Sequence, residues 1–186
     1  FPTATLFADA GACVTGVDIN LGIVKRINSG ESHLTDEPSL EDILKGVTKS
    51  GRLKATTDLH TAVAQADVIV ICVPTPVDET KTPDYSCITQ VCRDVGRALS
   101  KGKLVVIEST VGPGVVEDLI QPILEAESRL KAGADFSLAS CPERADPSNV
   151  VKDMKTIPRI VGGIDKASTE AAAALYHAAL GVKVIK

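Results

Sequence analysis

Short apolar runs alternate along the chain with stretches whose apolar residues recur at helical spacing, which predicts strands joined by crossover helices. Phe1 to Ala10 reads as a helix ended by Gly11, since glycine tolerates the left-handed position past a helix end. Cys13 to Val17 reads as a strand with Asp18 at its carboxyl end. Leu21 to Asn28 is a helix closed by a Ser29-Gly30 turn. Ser39, with Asp42 three residues on, reads as the N-cap of a helix running towards Gly51. Leu53 to Ala55 is a short strand, and Val68 to Val73 has the continuous apolar character of a strand buried on both faces. Three prolines make the stretch from Pro74 to Asp84 a loop.

Beyond it the pattern repeats. A helix from Cys87 to Leu99 precedes a strand from Leu104 to Ile107, and Gly112-Pro113-Gly114 leads into a helix from Val115 to Leu130. Phe136 to Ala139, Arg159 to Val161 and Lys183 to Ile185 are strands, with a helix from Ala167 to Ala179 between the last two. The whole reads as α/β, one doubly wound parallel sheet.

Composition narrows the function. The chain has 186 residues, 44% of them hydrophobic and 24% charged, an ordinary globular balance. A net charge of -4 supplies no basic footprint for nucleic acid. No apolar run approaches the roughly 20 residues of a membrane span, and no secretory signal is read ahead of the first element, where a missing N-terminus would hide one. The five cysteines are irregularly spaced without a C-x-x-C pair, which fits reduced thiols in the cytoplasm better than a disulfide framework. The three histidines lie far apart, so no metal is expected.

In a dinucleotide-binding fold, a carboxylate closing the second strand bonds the adenosine ribose, about 20 residues after a glycine-rich turn. Asp18 suits that role, and counting back from it places the turn and the first strand upstream of Phe1. The alternative for Asp18 is a simple helix N-cap. Ligands of open α/β sheets bind at the carboxyl ends of strands, and three such ends carry unusual polar sequences. Val73-Pro74-Thr75 offers a stiffened loop with a hydroxyl, or a plain proline-rich loop. Glu108-Ser109-Thr110-Val111 offers hydroxyls and backbone N–H groups to an anion or water, or N-caps. Cys141-Pro142-Glu143-Arg144 offers a base and a cation for phosphate or carboxylate, or a surface ion pair. Cys141 itself suits a buried structural thiol better than a nucleophile.

With Val17-Asp18-Ile19-Asn20, Ile71-Cys72-Val73-Pro74-Thr75-Pro76, Glu108-Ser109-Thr110-Val111-Gly112-Pro113-Gly114, Cys141-Pro142-Glu143-Arg144 and Arg159-Ile160-Val161-Gly162-Gly163 in order, the chain resembles the UDP-glucose/GDP-mannose dehydrogenase family. The resemblance covers essentially the whole chain and is to the Rossmann-like N-terminal NAD-binding domain. The form Pro142-Glu143-Arg144, continuing Ala145-Asp146-Pro147-Ser148-Asn149, is closer to members that oxidise UDP-N-acetylhexosamines such as UDP-N-acetylmannosamine. UDP-glucose members more often have an aromatic residue after Pro-Glu.

The resemblance implies hydride transfer from C6 of a UDP-sugar to NAD, capture of the aldehyde by a cysteine, a second oxidation to a thioester, and hydrolysis to the uronate. It implies that Asp18 holds the adenosine ribose, and that Val73, Pro74, Thr75, Ser109, Thr110 and Val111 line the pyrophosphate and nicotinamide. Glu143 would serve as base or water-orienting group in the sugar pocket, Arg144 beside it, with Thr110 helping to hold the catalytic water. The family's central helix, sugar-binding domain and nucleophilic cysteine are expected downstream of Lys186, so residues 1–186 alone are expected to turn over no sugar. The full-length protein is expected to be a homodimer. The family's frequent basic residue five positions after the ribose aspartate is replaced by Ile23, with Lys25 nearby. UDP-glucose oxidation, a β-hydroxyacid-type dehydrogenase and a non-catalytic NAD-binding module are the rival readings.

Overall fold

The structure, a computed structural model, describes residues 1–32, 34, 37–146 and 149–186. Contacts divide the chain into two compact units, one of residues 1–62, 144–158 and 175–183, the other of 63–143, 159–174 and 184–186.

In the first unit, β1 (Val14–Val17) and β2 (Leu53–Thr56) pair in parallel, Val14 opposite Leu53 and Val17 opposite Thr56. Helices α1 (Pro2–Asp9), α2 (Leu21–Asn28) and α3 (Pro38–Lys49) bury Ala8, Val24, Ile27, Leu44 and Val47 with Leu53 and Ala55. Leucines as closed off as Leu40 and Leu44 contribute about 1.5–3 kcal/mol each. α1 stops where Gly11 adopts φ 107°, a conformation open to glycine. Asn28 ties the end of α2 to β2, donating to the Ala55 carbonyl at 2.9 Å and accepting from its N–H at 2.7 Å.

Two readings of this unit change. Ser39 is not the cap of α3: the helix begins at Pro38 with Glu37 in the cap position, because proline's fixed φ suits a first helical residue. The stretch after Arg144 also holds a further helix, α7 (Val150–Thr156), whose Val150 N–H donates to the buried Glu37 carboxylate at 2.6 Å.

α4 (Leu59–Gln65), missing from the sequence reading, is only 7 residues long, and its first turn hangs on Asp58, which accepts from the Thr61 N–H at 3.0 Å. In the second unit, β3 (Val68–Ile71), β4 (Leu104–Ile107) and β5 (Ser137–Ser140) run parallel in that order, and β7 (Gly162–Gly163) joins β5 antiparallel. β4 is buried at all four positions. β3, at the edge of this sheet, alternates half-buried and buried residues and ends at Ile71, so the expectation of a strand to Val73 buried on both faces fails. α5 (Ser86–Ala98) lies against a π-helical turn (Val116–Ile120) that runs into α6 (Gln121–Ser128). Gly96 permits the approach, since a Cβ there would lie 2.7 Å from the Glu127 Cβ.

The strand expected from Arg159 to Val161 is found at Arg159–Ile160, and a further short strand follows it. β6 (Arg159–Ile160) pairs in parallel with β8 (Val184–Ile185), and β7 then turns to β5. Gly163 makes the turn possible: a Cβ there would meet the Thr169 nitrogen at 2.4 Å, at the start of α8 (Lys166–Leu180).

Candidate functional site

Asp18 follows β1, half-buried, and its Oδ1 accepts the Asn20 N–H at 2.8 Å. Capping belongs to Asn20, whose Oδ1 accepts from the Gly22 and Ile23 N–H groups at 2.8 and 3.4 Å. The N-cap alternative for Asp18 is therefore excluded. Beside it Ile19 is fully exposed and Leu21 more than half exposed. An oriented carboxylate flanked by solvated apolar surface fits a nucleoside, the acid accepting ribose hydroxyls and the apolar side chains facing the base.

In the second unit, the β3 and β4 ends are sewn together. Ser109 Oγ donates to the Val73 carbonyl at 2.7 Å, and Thr75 Oγ1 donates to the Thr110 carbonyl at 2.7 Å. Helix capping does not account for these hydroxyls, because the π-helical turn begins after Val115 with no side-chain cap. Ser109 is buried, while Thr75 and Val111 are half-buried and Pro74 and Thr110 exposed, so this rim faces solvent with its backbone already fixed. Tyr85, which no sequence pattern singled out, accepts the Gly112 N–H on its hydroxyl at 3.1 Å and steadies the same loop.

Past β5 the chain stays beside the end of β4: the Cys141 N–H donates to Ile107 at 2.9 Å and the Glu143 N–H to Glu108 at 3.2 Å. That path carries Glu143 to Glu108, and Arg159, at the first position of β6, joins them. Its Nη2 donates to Glu108 Oε1 at 2.7 Å and its Nη1 to Glu143 Oε1 at 2.7 Å. Its Nε reaches the Cys141 sulfur at 3.5 Å. Arg159 is 1% exposed and Glu108 2%, whereas the Glu143 side chain is 33% exposed. Burial opposes the guanidinium charge, but the Cys141 sulfur and the Glu143 and Glu108 carboxylates outweigh it, so the Arg159 pKa is raised. Cys141 is fully enclosed, a structural thiol.

Arg144 is exposed and in the first unit, where its Nη1 donates to the Pro158 carbonyl at 3.2 Å. Glu143 itself pairs with Arg159, 16 residues later. Arg159 opens β6, which pairs with β8 and not with β5, so no local signal in the sequence marks it. A buried arginine opening a strand would have been the clue.

Residues 1–180 match the family described as "UDP-glucose/GDP-mannose dehydrogenase family, NAD binding domain". The UDP-N-acetyl-D-mannosamine dehydrogenase of Pyrococcus horikoshii is 38% identical over 95% of this chain and 41% of its own length. The GDP-mannose 6-dehydrogenase of Pseudomonas savastanoi pv. phaseolicola is also 38% identical, over 90% of this chain and 39% of its own. The crystal structure of NDP-N-acetyl-D-galactosaminuronic acid dehydrogenase from Methanosarcina mazei Go1 superposes with a TM-score of 0.93 at 40% identity, covering 99% of this chain and 41% of that one. The chain thus spans about two fifths of the length of these relatives.

Proposed function

The chain belongs to the UDP-glucose/GDP-mannose dehydrogenase family, through its NAD-binding domain, and from that premise we propose that it serves an enzyme oxidising a UDP-N-acetylhexosamine at C6 to the uronate. NAD, when bound, supplies hydride acceptance in each of two successive oxidations. Asp18 accepts the adenosine ribose hydroxyls, with Ile19 and Leu21 beside the base. Val73, Pro74, Thr75, Ser109, Thr110 and Val111 form the wall for pyrophosphate and nicotinamide, held still by the Ser109 and Thr75 hydrogen bonds. Glu143 faces the sugar, orienting water or taking a proton, and Thr110 helps to hold that water. Arg144 is a contact for the substrate. The thioester intermediate belongs to a cysteine outside residues 1–186. The full-length protein works in the cytoplasm as a homodimer.

The observation that carries this reading is Glu143, a carboxylate on a partly exposed side chain, fixed past a strand's carboxyl end on a buried guanidinium. Its block continues Arg144-Ala145-Asp146, without the aromatic residue expected of UDP-glucose enzymes. Identity does not separate acetylated UDP-sugars from GDP-mannose, because relatives named for each stand at 38%.

NADH yield separates them. The full-length protein is offered UDP-N-acetylmannosamine, UDP-N-acetylglucosamine, UDP-N-acetylgalactosamine, UDP-glucose and GDP-mannose. Two NADH per sugar are expected on one acetylated substrate. Equal or better turnover of UDP-glucose or GDP-mannose overturns the substrate. One NADH per sugar overturns the four-electron course, and none on any sugar with NAD still bound leaves a non-catalytic module.

A further inference from the structure

We propose that Arg159 is a positioning residue for the reaction, holding the Glu143 carboxylate while Glu108 anchors the guanidinium from behind; this rests on Glu143 acting on the sugar.

Three observations converge. Arg159 is almost wholly buried, so its guanidinium exchanges little with water and its geometry is set by protein atoms. Its two arms reach different carboxylates at the same 2.7 Å, Glu108 through Nη2 and Glu143 through Nη1. The carboxylates differ sharply in exposure, 1% for the Glu108 side chain and 33% for that of Glu143. Glu108 therefore fixes the guanidinium from inside, and Glu143 is the member whose side chain reaches the surface, its Oε2 itself lying buried beside the cluster. A planar fork suits this task, because its N–H directions are rigid and a lysine ammonium lacks them. The Cys141 sulfur against Nε, at 3.5 Å, fixes the plane of the fork.

The formal charge also points to a site rather than to packing. Two carboxylates share one guanidinium, leaving a net negative charge where burial penalises charge, and an apolar trio of similar volume packs more cheaply. The arrangement holds the Glu143 carboxylate in one orientation. Backbone reinforces it, since the Glu143 N–H donates to the carbonyl of Glu108 itself.

A merely structural ion cluster would move stability alone, so the test reads coupling. In the full-length protein, kcat and KM on the sugar are measured for Arg159→Lys, Glu143→Asp and the double variant, with thermal melts alongside. Arg159→Lys is expected to lower kcat about 10-fold or more, leaving KM for NAD within about twofold. In the Glu143→Asp background the same change is expected to add less than about twofold, since the carboxylate it positions has already moved. Full multiplicative effects of the two substitutions, or wild-type kcat in folded Arg159→Lys, overturn the proposal. Should Arg159→Lys fail to fold, Glu108→Gln enters the same cycle, an isosteric acceptor without the anchoring charge, and is judged by the same outcomes. Wild-type kcat in Glu143→Asp removes the role of Glu143 along with this proposal. A crippled Glu143→Asp with additive effects removes only the role of Arg159.

Discussion

Asp18 and Glu143 are both carboxylates just past the carboxyl end of a strand, yet they are held in opposite ways. Asp18 has the Asn20 N–H at 2.8 Å and solvated apolar neighbours. Glu143 leans on a guanidinium that is itself locked to a buried glutamate. The first acid is kept in place by one local turn, so the fold depends on it little and its worth lies in what it can bind. The second is the outer end of an internal ionic chain, so its position is tied to the packing of its unit. Residues of one chemical type at equivalent places in strands can thus be bound to the fold loosely or tightly.

The largest effect expected from this contrast is at Arg159. Arg159→Met leaves Glu108 buried without its cation, and breaking such a pair costs about 3–5 kcal/mol. Urea unfolding of the full-length protein would read this as an early transition. A loss under about 1 kcal/mol would mean that water or relaxation reaches Glu108 and that the two acids are less different than they look.

Next is Asp18→Ala, which removes a charged acceptor of ribose hydroxyls, an interaction of about 1.5–3 kcal/mol. Titration calorimetry is expected to show NAD bound about 10- to 100-fold more weakly, with stability unchanged within about 0.5 kcal/mol. Unaltered NAD affinity would remove Asp18 from the cofactor site. Gly163→Ala sharpens the other side. Its Cβ would press on backbone at 2.4 Å, and overpacking of this kind costs about 1–3 kcal/mol. Neutral behaviour would show that β7 and the start of α8 can part without loss.

The same contrast explains what could be read from sequence. Asp18, the Ser109–Thr110 pair and Glu143 each follow a run of apolar residues, and a parallel sheet places such residues at ligand-binding ends, so position alone singled them out. The strands Val14–Val17, Leu53–Thr56 and Leu104–Ile107 and the helix Leu21–Asn28 lay within a residue or so of where pattern put them. The two missed helices, Leu59–Gln65 and Val150–Thr156, are too short for a helical period to rise above noise. The second is held by Glu37, a partner 113 positions away. Arg159 escaped for a related reason: its partners Glu108, Cys141 and Glu143 lie 51, 18 and 16 positions away, and only folding brings them together. The extra strand β7 turns on Gly163, whose need for open space shows only once α8 is in view.

The smallest effect lies with a carboxylate that, like Asp18, is half-buried and locally held but, unlike it, caps a helix. Asp165 accepts the Ser168 N–H at 2.7 Å at the start of α8. Its hydrogen bonds to Ser168, chiefly to the backbone, hold its pKa below the ordinary 3.8. A carboxyl depressed on folding adds stability above its unfolded pKa and loses that contribution as pH falls through the folded value. Asp165→Asn keeps a competent cap but removes the charge. Amide protection at Ser168 should therefore differ slightly between wild type and Asp165→Asn at pH 7, and the difference should vanish as pH drops well below 3.8. A difference that persists in acid would assign the cap to shape rather than charge. In that case the α8 terminus would belong with the tightly built region around Gly163 rather than with the locally held acids that Asp18 typifies.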